Sequence, residues 1–360
     1  ETLQLTADFA NFLAPATGVR VELRTNDPYL NLVQASQLLG TLNPGDTATA
    51  TFSLSVATDA PNNYLALLQA RILADGSYSD ADLVRLTLNP EQVAQLTTGR
   101  VETAITTTGN IGWTGFADES QGVGFRLDGR NLLFEGGLVT GTSIVSVSDA
   151  VRGGDGVTQQ RDFEPAPGSS IEVTVPGTFA YQQGSVELLD RRAARPLPIR
   201  VIQETYADSA AENQLFVLFR YAFVNTGTTP IAPFYGGLFL DWDLNLDAQD
   251  FARFDAARQM GIVQNRNTRP DTLAAIRLLT PAPFSYHAIN NETEIYDGFT
   301  ETEKWAWLSG GVQRQTLDRV DVSQLMAIGP FRISPGCHVP AAFALLAADS
   351  EAALLQAADA

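Results

Sequence analysis

Lysine is almost missing from this chain. Of 23 basic residues only Lys304 is lysine, and the rest are arginine. Two readings fit that bias: a GC-rich genome, and adaptation to salt, where an acidic surface keeps a protein soluble. Cys337 is the single cysteine, which excludes an intrachain disulfide and a thiolate metal site. Its apolar neighbours Val339 and Phe343 predict a small buried side chain rather than a nucleophile. No apolar run approaches the ~18 residues needed to cross a bilayer; the best candidate is AAFALLAA at 341–348. Positive charge is in deficit too. A net charge of −18 repels nucleic acid and anionic membrane surfaces and argues against both as partners. The chain begins at Glu1 rather than Met and carries no signal peptide, as expected of a processed protein or an excised fragment.

Catalytic motifs are missing as well. The two histidines, His287 and His338, lie in no recognisable motif. Gly141-Thr142-Ser143 is similar to the surroundings of a subtilisin-type serine, but Ile144-Val145-Ser146 follows it and the histidine and aspartate partner motifs are not there. Gly122-Val123-Gly124 and Gly153-Gly154-Asp155-Gly156 lack the spacing of phosphate loops and read as turns.

What is present is a β pattern. The length of 360 residues suits two or three domains, and 44% hydrophobic residues is ordinary for a folded chain. Residues alternate apolar and polar at Leu3–Phe9, Val19–Arg24, Ala50–Val56 and Val84–Leu88, with turn signals at Asn26-Asp27-Pro28, Asn43-Pro44-Gly45-Asp46 and Asp75-Gly76. Period two means strands with one buried face. The reading is all-β: an immunoglobulin-like sandwich over 1–95, then a larger β-sandwich domain over 96–360 with a few short helices. Asp128-Gly129 signals a two-residue hairpin. QLFVLFRYAFV at 214–224 reads as a central strand, followed by a strand at 231–247. Helices are expected at 248–260 and 349–359, the second capped by Asp349 or Ser350.

The stretch FYGGLFLDWDLNLDAQDF carries the one convergence of oxygen ligands by spacing. If it is extended, Asp241, Asp243, Asn245 and Asp247 share one face, with Asp250 beyond. This D-x-D-x-N-x-D run makes Ca2+ the candidate ion. It departs from an EF-hand, since Leu246 replaces the turn glycine and Ala252 stands where a bidentate glutamate should be. A polar strand face is the alternative. Trp305 and Trp307, beside Lys304, read either as a sugar-stacking platform for a surface glycan or as core packing.

The order of elements resembles the non-catalytic region that follows the protease domain in secreted subtilisin-like serine proteases, and related proteins of the type IX export system, in Bacteroidota and Rhodothermota-type bacteria. The matching stretches include Leu42-Asn43-Pro44-Gly45, Leu138–Val151, Tyr221–Gly227, Tyr235–Leu244, Gly329-Pro330-Phe331 and Phe343–Ala348. The resemblance implies an extracellular or cell-surface location and a sorting domain removed beyond Ala360. It carries over no catalytic residue. The expectation is a non-enzymatic structural or interaction protein, a homo-oligomer or polymer in which the Leu3–Phe9 strand pairs with a neighbour. The rivals are an accessory region of a protease and a carbohydrate-binding module.

Overall fold

A computed structural model describes residues 2–60, 64–88, 92–116, 121–167, 169–245, 249–267 and 271–360. The chain is all-β, with 57% of residues in strands and 7% in three short helices. It divides into two compact units, residues 1–91 and 92–360.

The first unit holds seven strands: β1 (Thr2–Ala10), β2 (Ala16–Arg24), β3 (Leu30–Gln34), β4 (Ser36–Leu42), β5 (Thr47–Val56), β6 (Tyr64–Ala74) and β7 (Tyr78–Leu88). They form two antiparallel sheets ordered β1-β5-β3 and β4-β2-β6-β7. Val21, Leu23, Phe52, Leu54 and Leu68 fill the space between them, as their alternation with polar neighbours requires. Leu3–Phe9 lies in β1, an edge strand of its sheet. It pairs within its own chain, Thr2 opposite Ser55 through Ala10 opposite Thr47.

The second unit is layered. Its strands are β8 (Val93–Leu96), β9 (Val101–Thr106), β10 (Phe125–Leu127), β11 (Arg130–Asn131), β12 (Leu133–Ser143), β13 (Ser146–Asp149), β14 (Glu164–Pro165), β15 (Glu172–Thr174), β16 (Gln182–Leu189), β17 (Ile199–Ala207), β18 (Phe216–Asn225), β19 (Ile231–Trp242), β20 (Asp250–Asp255), β21 (Met260–Asn265), β22 (Thr272–Leu278), β23 (Phe284–Asn290), β24 (Thr316–Val320), β25 (Val322–Ile333) and β26 (His338–Ala348). The helices are α1 (Asn291–Glu294), α2 (Glu301–Ser309) and α3 (Glu351–Asp359). A five-stranded sheet, β13-β12-β19-β25-β23, packs against a ten-stranded sheet, β14-β16-β17-β18-β26-β22-β21-β20-β24, with β15 on β16. The main core lies between them: Leu238, Leu240, Trp242 and Met326 meet Phe219, Tyr221, Phe223 and Phe343. The glycine pair in the FYGGLF stretch permits this. A Cβ on Gly236 would meet the Phe223 ring at 2.7 Å, and one on Gly237 would meet the Met326 carbonyl at 2.2 Å. A smaller core of Val139, Phe239, Phe299, Trp307, Leu308 and Leu325 fills the space under α2. Helix α3 covers part of the outer face of the ten-stranded sheet through Leu354 and Ala358.

Several sequence expectations hold. β18 is central, bonded to β17 and β26, and Asp128 and Gly129 take the positive φ values, 49° and 81°, that a two-residue hairpin needs. The α3 helix is capped by Ser350, whose hydroxyl accepts from the Ala353 amide. Three expectations are corrected. The described residues of 248–260, from 249 on, are not a helix, since β20 occupies Asp250–Asp255. The strand from Ile231 ends at Trp242, not 247. Cys337 is exposed, because Ser334-Pro335-Gly336-Cys337 turns the chain between β25 and β26 and Val339 and Phe343 lie beyond it.

Candidate functional site

The ionisable groups concentrate on the helix-covered face of the five-stranded sheet. Sheet register explains the first cluster. Glu135 on β12 lies directly opposite Asp241 on β19, two like charges whose repulsion needs a cation. Arg152 supplies it. Its Nε donates to Glu135 Oε2 at 2.7 Å and its Nη2 to Asp241 Oδ2. All three are nearly solvent-free, with side chains 2–5% exposed. Asn291 Nδ2 donates to the other Asp241 oxygen at 2.7 Å. The guanidinium also lies 5.3 Å from the Phe116 ring and 5.5 Å from that of Phe134, a favourable setting for a desolvated cation. Burial pushes the Glu135 and Asp241 carboxyls upward while Arg152 pulls them back. Burial also works against the guanidinium, but Asp241 and Glu135 outweigh it and hold it charged.

The second cluster centres on the one lysine. Helix α2 begins with a capping box in which Thr300 accepts from the Glu303 amide and Glu303 accepts from the Thr300 amide. The helix so fixed drives Lys304 inward, where its Nζ sits 2.7 Å from Asp149 Oδ2; both side chains are 0% exposed. The Phe299 ring lies 5.2 Å from the ammonium. Asp162 accepts from the Asp149 amide at 2.9 Å. Burial, and then the Asp149 charge, push its carboxyl up to about 7. Asp190 accepts from Ser148 at 2.9 Å and from the Leu197 amide at 2.8 Å, and burial pushes it up to about 6. His287 stacks on Trp307, ring centres 4.9 Å apart and planes 9° apart. Burial holds its imidazole below the usual range, with Glu294 3.6 Å away pulling the other way. Lys304 and Asp149 neutralise each other out of reach of solvent.

Among the described residues the calcium stretch does not form one face. The chain leaves the five-stranded sheet at Trp242 and enters the ten-stranded sheet at Asp250. Asp241 is committed to Arg152 and Asn291. Asp250 is buried and accepts from Asn265 Nδ2 at 2.9 Å. Asp243 is exposed, Asn245 is half-buried, and Asp247 lies outside the described residues. Among the described residues no group of three or more His, Cys, Asp or Glu side chains is placed to hold a metal ion.

The tryptophans are on α2, not a strand. Trp307 is buried against His287 and Phe299, and Trp305 packs edge-on to Tyr235 at 5.4 Å, so the two present no common stacking surface. Exposed aromatics lie elsewhere, Phe179 among them. Phe179, 80% exposed, stands with Tyr206 at one wall of a groove of about 740 Å3 on the ten-stranded sheet, floored by Leu218 and Leu346 and flanked by Arg220 and Arg277. Sequence reading missed Glu135, Asp149, Arg152 and Lys304 as a set, because they are far apart in the chain and only strand register and the packing of α2 on the sheet join them. Two signals were visible: a sole lysine in an apolar WAWL context, and the Thr300-x-x-Glu303 cap.

No protein-family model and no curated protein matches this sequence. Among solved structures, the chain is similar to a membrane-anchored protein from Corynebacterium diphtheriae at 9% identity, over 96% of this chain and 79% of that one, with a TM-score of 0.12. A likeness that slight carries no argument about fold or function.

Proposed function

We propose that this chain is a non-enzymatic extracellular β protein that serves as a structural or interaction module and associates with copies of itself. The observation that carries the reading is the sealed charge layer. Glu135 and Asp241 are paired with Arg152, and Asp149 with the only lysine, all out of reach of solvent, so these groups brace the fold rather than face a substrate. Perturbed groups at a working site are expected in an open cleft. What the surface offers instead is sheet edges and apolar side chains such as Phe12, Phe179 and Tyr181.

Light scattering with negative-stain microscopy of the same sample tests it. Particles well above the 38.7 kDa of one chain are expected, as filaments, sheets or closed oligomers. A monomer at all concentrations overturns self-association and favours the accessory-region reading. The Phe179 groove supports a second reading, capture of an extended peptide or glycan. For that reading Phe179→Ala should abolish binding of a glycan or peptide array to the protein; silence of the wild-type protein on both arrays removes it.

A further inference from the structure

Most open strand edges of this protein are guarded. On β7, Asp80 accepts from the Ala81 amide and Asp82 from the Leu83 amide, each at 2.8 Å. That edge thus turns backbone donors onto its own carboxylates. β23 is covered by the 311–314 segment, with Tyr286 donating to Gly311 and Ala288 to Arg314. β24 is five residues long and bent at Arg319, φ 55°. β13 and β8 have four residues, β11 and β14 two. β3 carries a bulge between Leu32 and Gln34, and β4 shifts register with β2 at Gly40, φ 86°.

β1 is different. It runs nine residues in unbroken register with β5, and among the described residues nothing pairs with its far side. It has no proline, glycine, lysine or arginine, and Asp8 is the only charge in TLQLTADFA. Such an edge is a template for another strand. We infer that β1 pairs antiparallel with β1 of a second copy about a two-fold axis near Thr6, joining two three-stranded sheets into one of six. The sequence is self-complementary about that point. Gln4, an amide donor, falls opposite Asp8 of the second copy, so the acidic residues of two strongly negative chains do not meet. Leu3 falls opposite Phe9, and Leu5 opposite Ala7, all on the inward face. A two-fold axis makes the contact isologous. The inference rests on the self-association proposed above and names its surface.

Single-cysteine variants test it, because Cys337→Ser leaves no other thiol. In that background Thr6→Cys should form an oxidised dimer at least tenfold faster than Arg20→Cys, an exposed position on the other sheet. A mixture of Gln4→Cys and Asp8→Cys should cross-link at least tenfold faster than either alone. Unchanged melting temperatures show that the variants fold. Equal rates at all positions, with wild-type particles still larger than one chain, overturn the β1 contact and leave self-association standing. Equal rates with a monomeric wild type overturn both.

Discussion

At the scale of single residues, this protein commits its rarest and most costly groups to its interior. An uncompensated buried charge costs about 3–5 kcal/mol, whereas a balanced set is close to neutral. Arg152→Met, which strands Glu135 and Asp241 against each other, is therefore expected to lower unfolding free energy by about 3–5 kcal/mol in denaturant titration. Asp241→Asn should lower the melting temperature equally in calcium and in chelator, because its present partner is a guanidinium; a loss seen in calcium alone would restore the ion. Lys304, fully buried, should escape an amine-reactive reagent in the native state and become modified once the chain is unfolded, as peptide mapping would read out.

At the scale of elements, the decisive one is α2. Nine residues have little reason to be helical on their own, since short isolated helices are marginal. The capping box and the inward face of Lys304, Trp307 and Leu308 make it so. Thr300→Ala should cost about 1 kcal/mol, and more than that would mean the helix loosens and releases Lys304. The same element shows where the sequence pattern is ambiguous. Trp305 and Trp307 alternate as readily as they spiral, and two tryptophans are too few to separate period 2 from period 3.6. Asp250–Asp255 errs the other way. Its first four positions alternate buried and half-buried, although a helix is expected there from the sequence.

At the scale of the whole molecule, raised carboxyls set a pH dependence. Asp162 and Asp190 are held near 7 and 6 by burial, above the ordinary value of 3.8. The folded state then binds more protons than the unfolded state between about pH 4 and 7, so stability falls as pH rises through that window. Their contribution is complete below pH 4 and gone above pH 7. The paired carboxylates Asp128, Asp255 and Asp359, held low chiefly by Arg100 and Arg258, act in the opposite sense under more acid conditions. The expected result is a higher melting temperature at pH 5 than at pH 8. Asp190→Asn should flatten the difference by something on the order of 1–3 kcal/mol; an unaltered slope would remove Asp190 as a cause.

The sequence by itself determined the strands. Alternation in Leu3–Phe9 and Ala50–Val56, the Asp128-Gly129 turn and the apolar run of β18 are local, period-two facts, and they specify an all-β chain without reference to distant partners. Tertiary structure alone decided which charges meet. Asp241 looked like one of a row of oxygen ligands because spacing is all that a linear chain displays. The row breaks at Trp242, where the chain passes from one sheet to the other, and cross-strand register sets Asp241 beside Glu135 and under Arg152. Pairing between strands more than a hundred residues apart is fixed by the packing of two sheets on one core, and no local pattern encodes it.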